Sequence, residues 1–225
     1  MMTCDILSWE GMQYILRKPE EYDPDKQYPI LLFLHGAGTR GTDLTPLASN
    51  PFFKITAALD FFPFITIAPL CHADTWFDLM DVLQSLVRHI AAAPYTDAQR
   101  IYLMGNSMGG YATWQLAMSM PEYFAAICPI CGGGLYWNAS RLVNVPVWAF
   151  HGAKDDTVYV QESIWMTEAI NRCGGQAKLT IYPENGHNSW SDTYTNPEVY
   201  QWLLSHTNKN TLILNNLYTD NNRFG

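Results

Sequence analysis

A serine, a carboxylate and a histidine that together perform acyl transfer can be picked out of this chain by type, spacing and order. The serine is Ser107, in Gly105-Asn-Ser-Met-Gly109, between the apolar run Arg100-Ile-Tyr-Leu-Met104 and a stretch of helix formers over 111–119. A serine set between a buried strand and a helix, with glycine two residues away on each side, has the form of a nucleophile elbow. The turn is too tight for side chains on its flanks. It lifts the hydroxyl clear and aims the free N–H groups of the helix start at the same point.

A serine hydroxyl is a weak nucleophile until an imidazole takes its proton, and the imidazole needs a carboxylate to fix its tautomer. After Ser107 the chain offers His151, His187 and His206. His187 alone follows both an acidic post-strand loop and a strand of its own, so it is expected to be the base. His151, beside Gly152, is expected to brace its own turn. The acid must come from His151-Gly-Ala-Lys-Asp-Asp156, which offers Asp155 and Asp156; Asp155 is preferred, and Asp156 would then bind the turn. Acyl transfer also needs N–H donors for the developing oxyanion, each worth about 3 kcal/mol. Met108, directly after the nucleophile, supplies one backbone N–H. Ala37, in His35-Gly-Ala-Gly38, supplies the second, with Gly36 and Gly38 shaping the loop and His35 structural.

These residues need a scaffold that brings loops together, and the pattern of elements provides one. The opening 29 residues hold one expected strand, 12–17. Buried strands are expected at 28–34, 64–69, 101–104, 125–130, 145–150 and 177–182, and helices at the end of 42–59 and over 76–93, 111–120, 160–173 and 197–205. Strands alternating with helices imply an α/β fold with a mostly parallel central sheet and helices on both faces. In such sheets ligands bind at the carboxyl ends of the strands. The loops at 35–38, 131–134, 151–156 and 183–187 all follow strands and should crowd at one edge. The 13 residues from Gly132 to Asn144 are too few for a cap domain, so the site should be open.

At 225 residues the chain is expected to form one domain over 1–206, followed by an asparagine-rich tail, 207–225, carrying the apolar patch Leu212-Ile-Leu214. A net charge of −8 argues against nucleic acid or an anionic membrane as partner. The start has neither a basic n-region nor an apolar h-region, and no run is long enough to span a bilayer, so a cytoplasmic protein is expected. The five cysteines are scattered, and Cys128-Pro-Ile-Cys131 lacks the second ligand pair of a zinc site. Those two are expected in the core, and neither metal nor cofactor is expected in the chemistry.

Taken together, Leu34-His-Gly-Ala-Gly38, Arg100-Ile-Tyr-Leu-Met-Gly-Asn-Ser-Met-Gly-Gly-Tyr-Ala-Thr-Trp114, His151-Gly-Ala-Lys-Asp-Asp156 and Tyr182-Pro-Glu-Asn-Gly-His187 resemble the serine α/β-hydrolases. More narrowly, they are similar to the small esterase and phospholipase–carboxylesterase group related to dienelactone hydrolases. The resemblance runs from about Tyr28 to His206. It implies an α/β-hydrolase fold and carboxylic-ester hydrolysis, and it maps the triad acid to Asp155. Dienelactone hydrolases proper use a cysteine nucleophile; Ser107 departs from that, so dienelactone itself is a poor expectation as substrate.

An open cleft suits short-chain esters or an acyl group carried on a larger molecule such as a polysaccharide. Trp76, Trp137 and Trp190, with Tyr136 and the close backbone of Gly36, are expected to line the site and could stack an aromatic acyl group such as feruloyl. Two other classes compete. A prolyl-oligopeptidase-type peptidase shares these motifs but would need an acidic pair for a peptide amine, which is not evident. A non-catalytic binding protein of the same fold would be expected to lack a member of the triad. No motif names the physiological ester or an oligomeric state.

Overall fold

The computed structural model describes residues 4–208. Eight strands form one sheet: β1 (Cys4–Trp9), β2 (Met12–Arg17), β3 (Tyr28–Leu34), β4 (Ile65–Pro69), β5 (Thr96–Asn106), β6 (Ala126–Ile130), β7 (Val147–Gly152) and β8 (Ala177–Tyr182). Their order is β1-β2-β4-β3-β5-β6-β7-β8. The hairpin β1–β2 and the β2–β4 pair are antiparallel, and every later pairing is parallel. This is the mostly parallel sheet that the element pattern implied, in the α/β-hydrolase arrangement that the motif resemblance implied.

The continuous apolar run of β3 is explained by burial on both faces. Ile30, Leu32 and Leu34 enter one core layer, and Leu31 and Phe33 enter the other, as the period of two in a strand requires. The first layer is closed by α3 (Met80–Ala91), α4 (Met108–Ser119) and α5 (Gln161–Arg172), through Leu83, Trp114 and Met166 among others. The second is closed by α2 (Pro51–Ala57), which follows the single turn α1 (Thr45–Ala48), and by α6 (Trp190–Thr195) and α7 (Pro197–Leu204). Cys128 and Cys131 are buried and free, as core residues.

Three differences from the sequence expectation bear on the site. The opening segment contains two strands rather than one, joined at Glu10 and Gly11, both with positive φ (46° and 82°), the backbone of a tight two-residue hairpin. Strand β5, 11 residues long, starts earlier than expected and carries the nucleophile at its end. A helix, α6, starts three residues after His187. The packed body also runs past residue 206: the Asn208 N–H donates to the Gln99 carbonyl (2.8 Å). The rest of the expected tail, 209–225, lies outside the described residues. Among the described residues no helix is long and apolar enough to cross a membrane.

Candidate active site

Strand β5 ends at Asn106, and α4 begins at Met108, so Ser107 must turn the chain alone. It does so with φ 56° and ψ −120°, a left-handed conformation unfavourable for a residue with a Cβ. The surroundings hold it there. Its N–H donates to Ile130 at the end of β6 (2.9 Å), and its carbonyl accepts from Tyr111 (3.0 Å). The preceding Asn106 accepts a hydrogen bond at Oδ1 from the buried Tyr194 hydroxyl on α6 (3.0 Å). Gly105 allows the close crossing: a Cβ there would lie 2.4 Å from the Gly109 carbonyl oxygen.

The structure brings Ser107, His187 and Asp155 together in one chain of hydrogen bonds. Ser107 Oγ lies 2.8 Å from His187 Nε2, and His187 Nδ1 lies 2.8 Å from Asp155 Oδ2. A carboxylate can only accept, so Nδ1 carries the proton and Nε2 is left to accept from the serine. The Asp155 side chain is buried, and its Oδ1 accepts from the N–H groups of Thr157 (3.0 Å) and Val158 (2.9 Å). Burial alone would raise its pKa. The His187 bond and these two backbone donors outweigh burial and hold the carboxyl below its usual value. Asp156, the other acid in the loop, is exposed and takes no part in the chain; it faces the Thr157 hydroxyl at 3.5 Å.

His151 sits at the end of β7 with both nitrogens engaged: Nδ1 is 2.8 Å from Ser163 Oγ, and Nε2 is 2.8 Å from the Val158 carbonyl and 3.2 Å from Asp155 Oδ2. Burial lowers its pKa, so the ring is neutral. The Val158 carbonyl then fixes the proton on Nε2. This histidine braces the acid loop, as its position beside Gly152 suggested.

Opposite the nucleophile, the loop after β3 comes close. A Cβ on Gly36 would stand 3.5 Å from Ser107 Cβ and 3.0 Å from Asn106 Nδ2, so the absence of one lets the backbone reach the serine. Ala37 begins a short 3-10 turn (Ala37–Thr39) and Met108 begins α4. The N–H of a first helical residue has no partner within its own helix, so both amides are available as donors. The loop is fixed from beneath. His35 Nε2 accepts from the Cys71 N–H (3.0 Å), which puts the His35 proton on Nδ1, donated to the Gly36 carbonyl (2.8 Å). Burial pushes the pKa of His35 down to about 4, keeping this tautomer neutral.

The expected aromatic wall is partly corrected. Trp76 does not line the site: it is fully buried, packed against the His35 ring and donating its indole N–H to the His35 carbonyl (3.0 Å). Its role is to support the loop at 35–38 from inside the core. Trp190 stands edge-on to the His187 ring, with centroids 5.4 Å apart and an interplanar angle of 88°. Trp137 is 72 % exposed on the turn Tyr136–Leu142 after β6, and no ring contact joins it to the triad residues. Sequence reasoning passed over Tyr194, which positions Asn106, and Cys131, whose Sγ and the ligand atoms of Asp155 and His187 all lie within 4.8 Å of one another. That trio could be read as a metal site. However, burial pushes the Cys131 thiol up to about 12, so it is not the thiolate that binds metal, and His187 Nδ1 carries a proton donated to Asp155.

A model of the dienelactone hydrolase family matches residues 70–201. Among solved structures, a thermostable esterase superposes with a TM-score of 0.76 and 30 % identity, over 92 % of this chain and 63 % of its own. A ferulic acid esterase gives a TM-score of 0.68 at 14 % identity, over 89 % of this chain and 97 % of its own. The protein named probable dipeptidyl-aminopeptidase B of Fusarium vanettenii is 24 % identical over 95 % of this chain and 28 % of its own length. The chain thus spans about a quarter of such curated relatives. Esterase and peptidase neighbours alike point to a hydrolase.

Proposed function

The chain belongs to the dienelactone hydrolase family, and from that premise we propose that it is a serine carboxylesterase working through an acyl-enzyme. The carrying observation is the Ser107–His187–Asp155 chain, with both links at 2.8 Å. Ser107 Oγ attacks the ester carbonyl while His187 Nε2 takes its proton, and Asp155 stabilises the imidazolium that forms. The N–H groups of Ala37 and Met108 receive the oxyanion, reinforced by the positive end of α4. His187 then protonates the leaving alcohol. Water, activated by the same imidazole, releases the acid. No step calls for a cofactor. Short-chain or aromatic acyl esters, free or attached to polysaccharide, suit the open site, and Trp190 beside His187 supports an aromatic acyl group, as does the likeness in fold to a ferulic acid esterase.

The competing reading is a peptidase, favoured by relatives named as dipeptidyl aminopeptidases. Ser107→Ala should abolish fluorophosphonate labelling and reduce hydrolysis of p-nitrophenyl acetate by at least 10³-fold. Methyl ferulate should be cleaved faster than long-chain esters. Residual labelling in the variant, or faster turnover of aminoacyl-p-nitroanilides than of esters by the unaltered enzyme, refutes the proposal.

A further inference from the structure

A second cavity lies against the antiparallel edge of the sheet, between β1–β2 and the helices α1 and α2. Its volume is about 640 Å³, inside the roughly 300–1,000 Å³ range of small-molecule sites. Ile6, Ile15, Leu44, Phe53 and Ala57 make most of its wall apolar; Arg17 is the cation in that wall, and the exposed Glu20 is its one carboxylate. Arg17 pairs with Thr66 near the start of β4. Ser107 sits at the opposite, carboxyl end of the parallel strands, so this cavity is distinct from the site above.

The environment of Arg17 is unusual for a charged residue. It is 2 % exposed, yet among the described residues it makes no ion pair with a carboxylate. Its guanidinium donates from Nη1 to the Phe53 carbonyl (3.1 Å) and from Nη2 to Thr66 Oγ1 (3.3 Å). The rings of Phe62, Phe53 and Phe52 stand 4.7, 5.2 and 5.7 Å from Cζ. Guanidinium has five N–H donors, and these contacts use two. Aromatic faces offset only part of the cost of taking such a cation out of water. A fixed, dry, incompletely paired cation in the wall of an apolar cavity is matched by a ligand with one negative end and an apolar body.

We propose that this cavity binds an amphipathic monocarboxylate, its carboxylate on the free N–H donors of Arg17 and its chain along Ile6, Leu44 and Phe53. An alcohol of the same length would lose the charge-assisted hydrogen bonds, and a cation of the same length would be repelled.

Calorimetric titration with sodium decanoate, 1-decanol and decyltrimethylammonium tests this, on protein whose Ser107 has been blocked by fluorophosphonate. One saturable decanoate site is expected, at least tenfold tighter than decanol, with no binding of the cation. Arg17→Met should remove the preference for the acid. Should that variant fail to fold, Ala57→Trp, which fills the cavity from an exposed helical position, should abolish binding and leave p-nitrophenyl acetate hydrolysis unchanged in unblocked protein. Equal affinity for acid and alcohol, no saturable binding below millimolar, or undiminished binding in Ala57→Trp overturns the proposal.

Discussion

Gly109→Ala puts the smallest possible side chain where the structure has no room for one. A Cβ on Gly109 would stand 1.9 Å from the Leu34 carbonyl oxygen, 2.5 Å from its carbon and 2.8 Å from the His35 carbonyl oxygen. Real Cβ contacts essentially never fall below 3.0 Å, so about 1 Å must be found by moving backbone. The two segments that would separate are the start of α4, which carries the Met108 N–H, and the end of β3, which carries the loop with the Ala37 N–H. The strain therefore opens the oxyanion site directly. A misplacement of about 1 Å can cost 10²-fold in rate, and overpacking of this kind costs about 1–3 kcal/mol. For a domain of this size, that corresponds to a fall in Tm of several degrees. Initial rates with p-nitrophenyl acetate should show kcat down by about 10²-fold with KM little changed. Gly38→Ala, in the same loop but with nothing within 4 Å of the added methyl, should stay within twofold of the parent. Parental kcat and Tm in Gly109→Ala, or an equal loss in Gly38→Ala, would refute the reasoning.

Further outcomes follow from the two histidines and the tryptophan around the loops. His35 titrates near 4 when folded and near 6.5 when unfolded, so its contribution is full above about pH 6.5, is lost as the pH falls and levels off below about 4; urea unfolding between pH 7.5 and 4.5 should lose about 2.5 kcal/mol from this residue, more with His151, and a flat profile counts against it. Trp76→Phe keeps an aromatic ring but removes the indole donor to the His35 carbonyl and leaves a small void, so stability should fall by at least about 1 kcal/mol and kcat by about tenfold at constant KM, while unchanged kcat would show that the loop does not depend on that bond.

The chemistry was more legible in the sequence than its surroundings, for physical reasons. Turns that must expose a nucleophile or admit close backbone impose glycine, and buried strands impose apolar runs; Gly105, Gly36 and the run in β3 therefore announce themselves. The edge strand β1 imposes almost nothing, because most of Cys4–Trp9 is exposed and its side chains carry no inside-outside pattern. Its signal was the Glu10-Gly11 turn. Helix α6, six residues long, is too short for a period to show. Trp76 was a different kind of miss. Read as a loop aromatic it pointed outward, yet residues 76, 79, 83, 86 and 90 follow the spacing of one helical face, and all five are buried. Extending the stripe of α3 backwards would have placed it in the core.

The resulting site is held less by its reactive residues than by two neutral rings beneath its loops. His35 and His151 sit at the carboxyl ends of β3 and β7, and each ring ties the loop that follows its strand. His35 works only with one nitrogen donating and the other accepting, because its Nε2 faces a backbone N–H. Were His35 protonated, its Nε2–H would face the Cys71 N–H at 3.0 Å, donor against donor, beneath the segment that offers Ala37. His151 is more tolerant: the Ser163 hydroxyl can donate to the Gly132 carbonyl and accept from a protonated Nδ1. Acid should therefore disorder the oxyanion loop before the sheet gives way. Burial of the His35 imidazole is what keeps that loop in register at neutral pH.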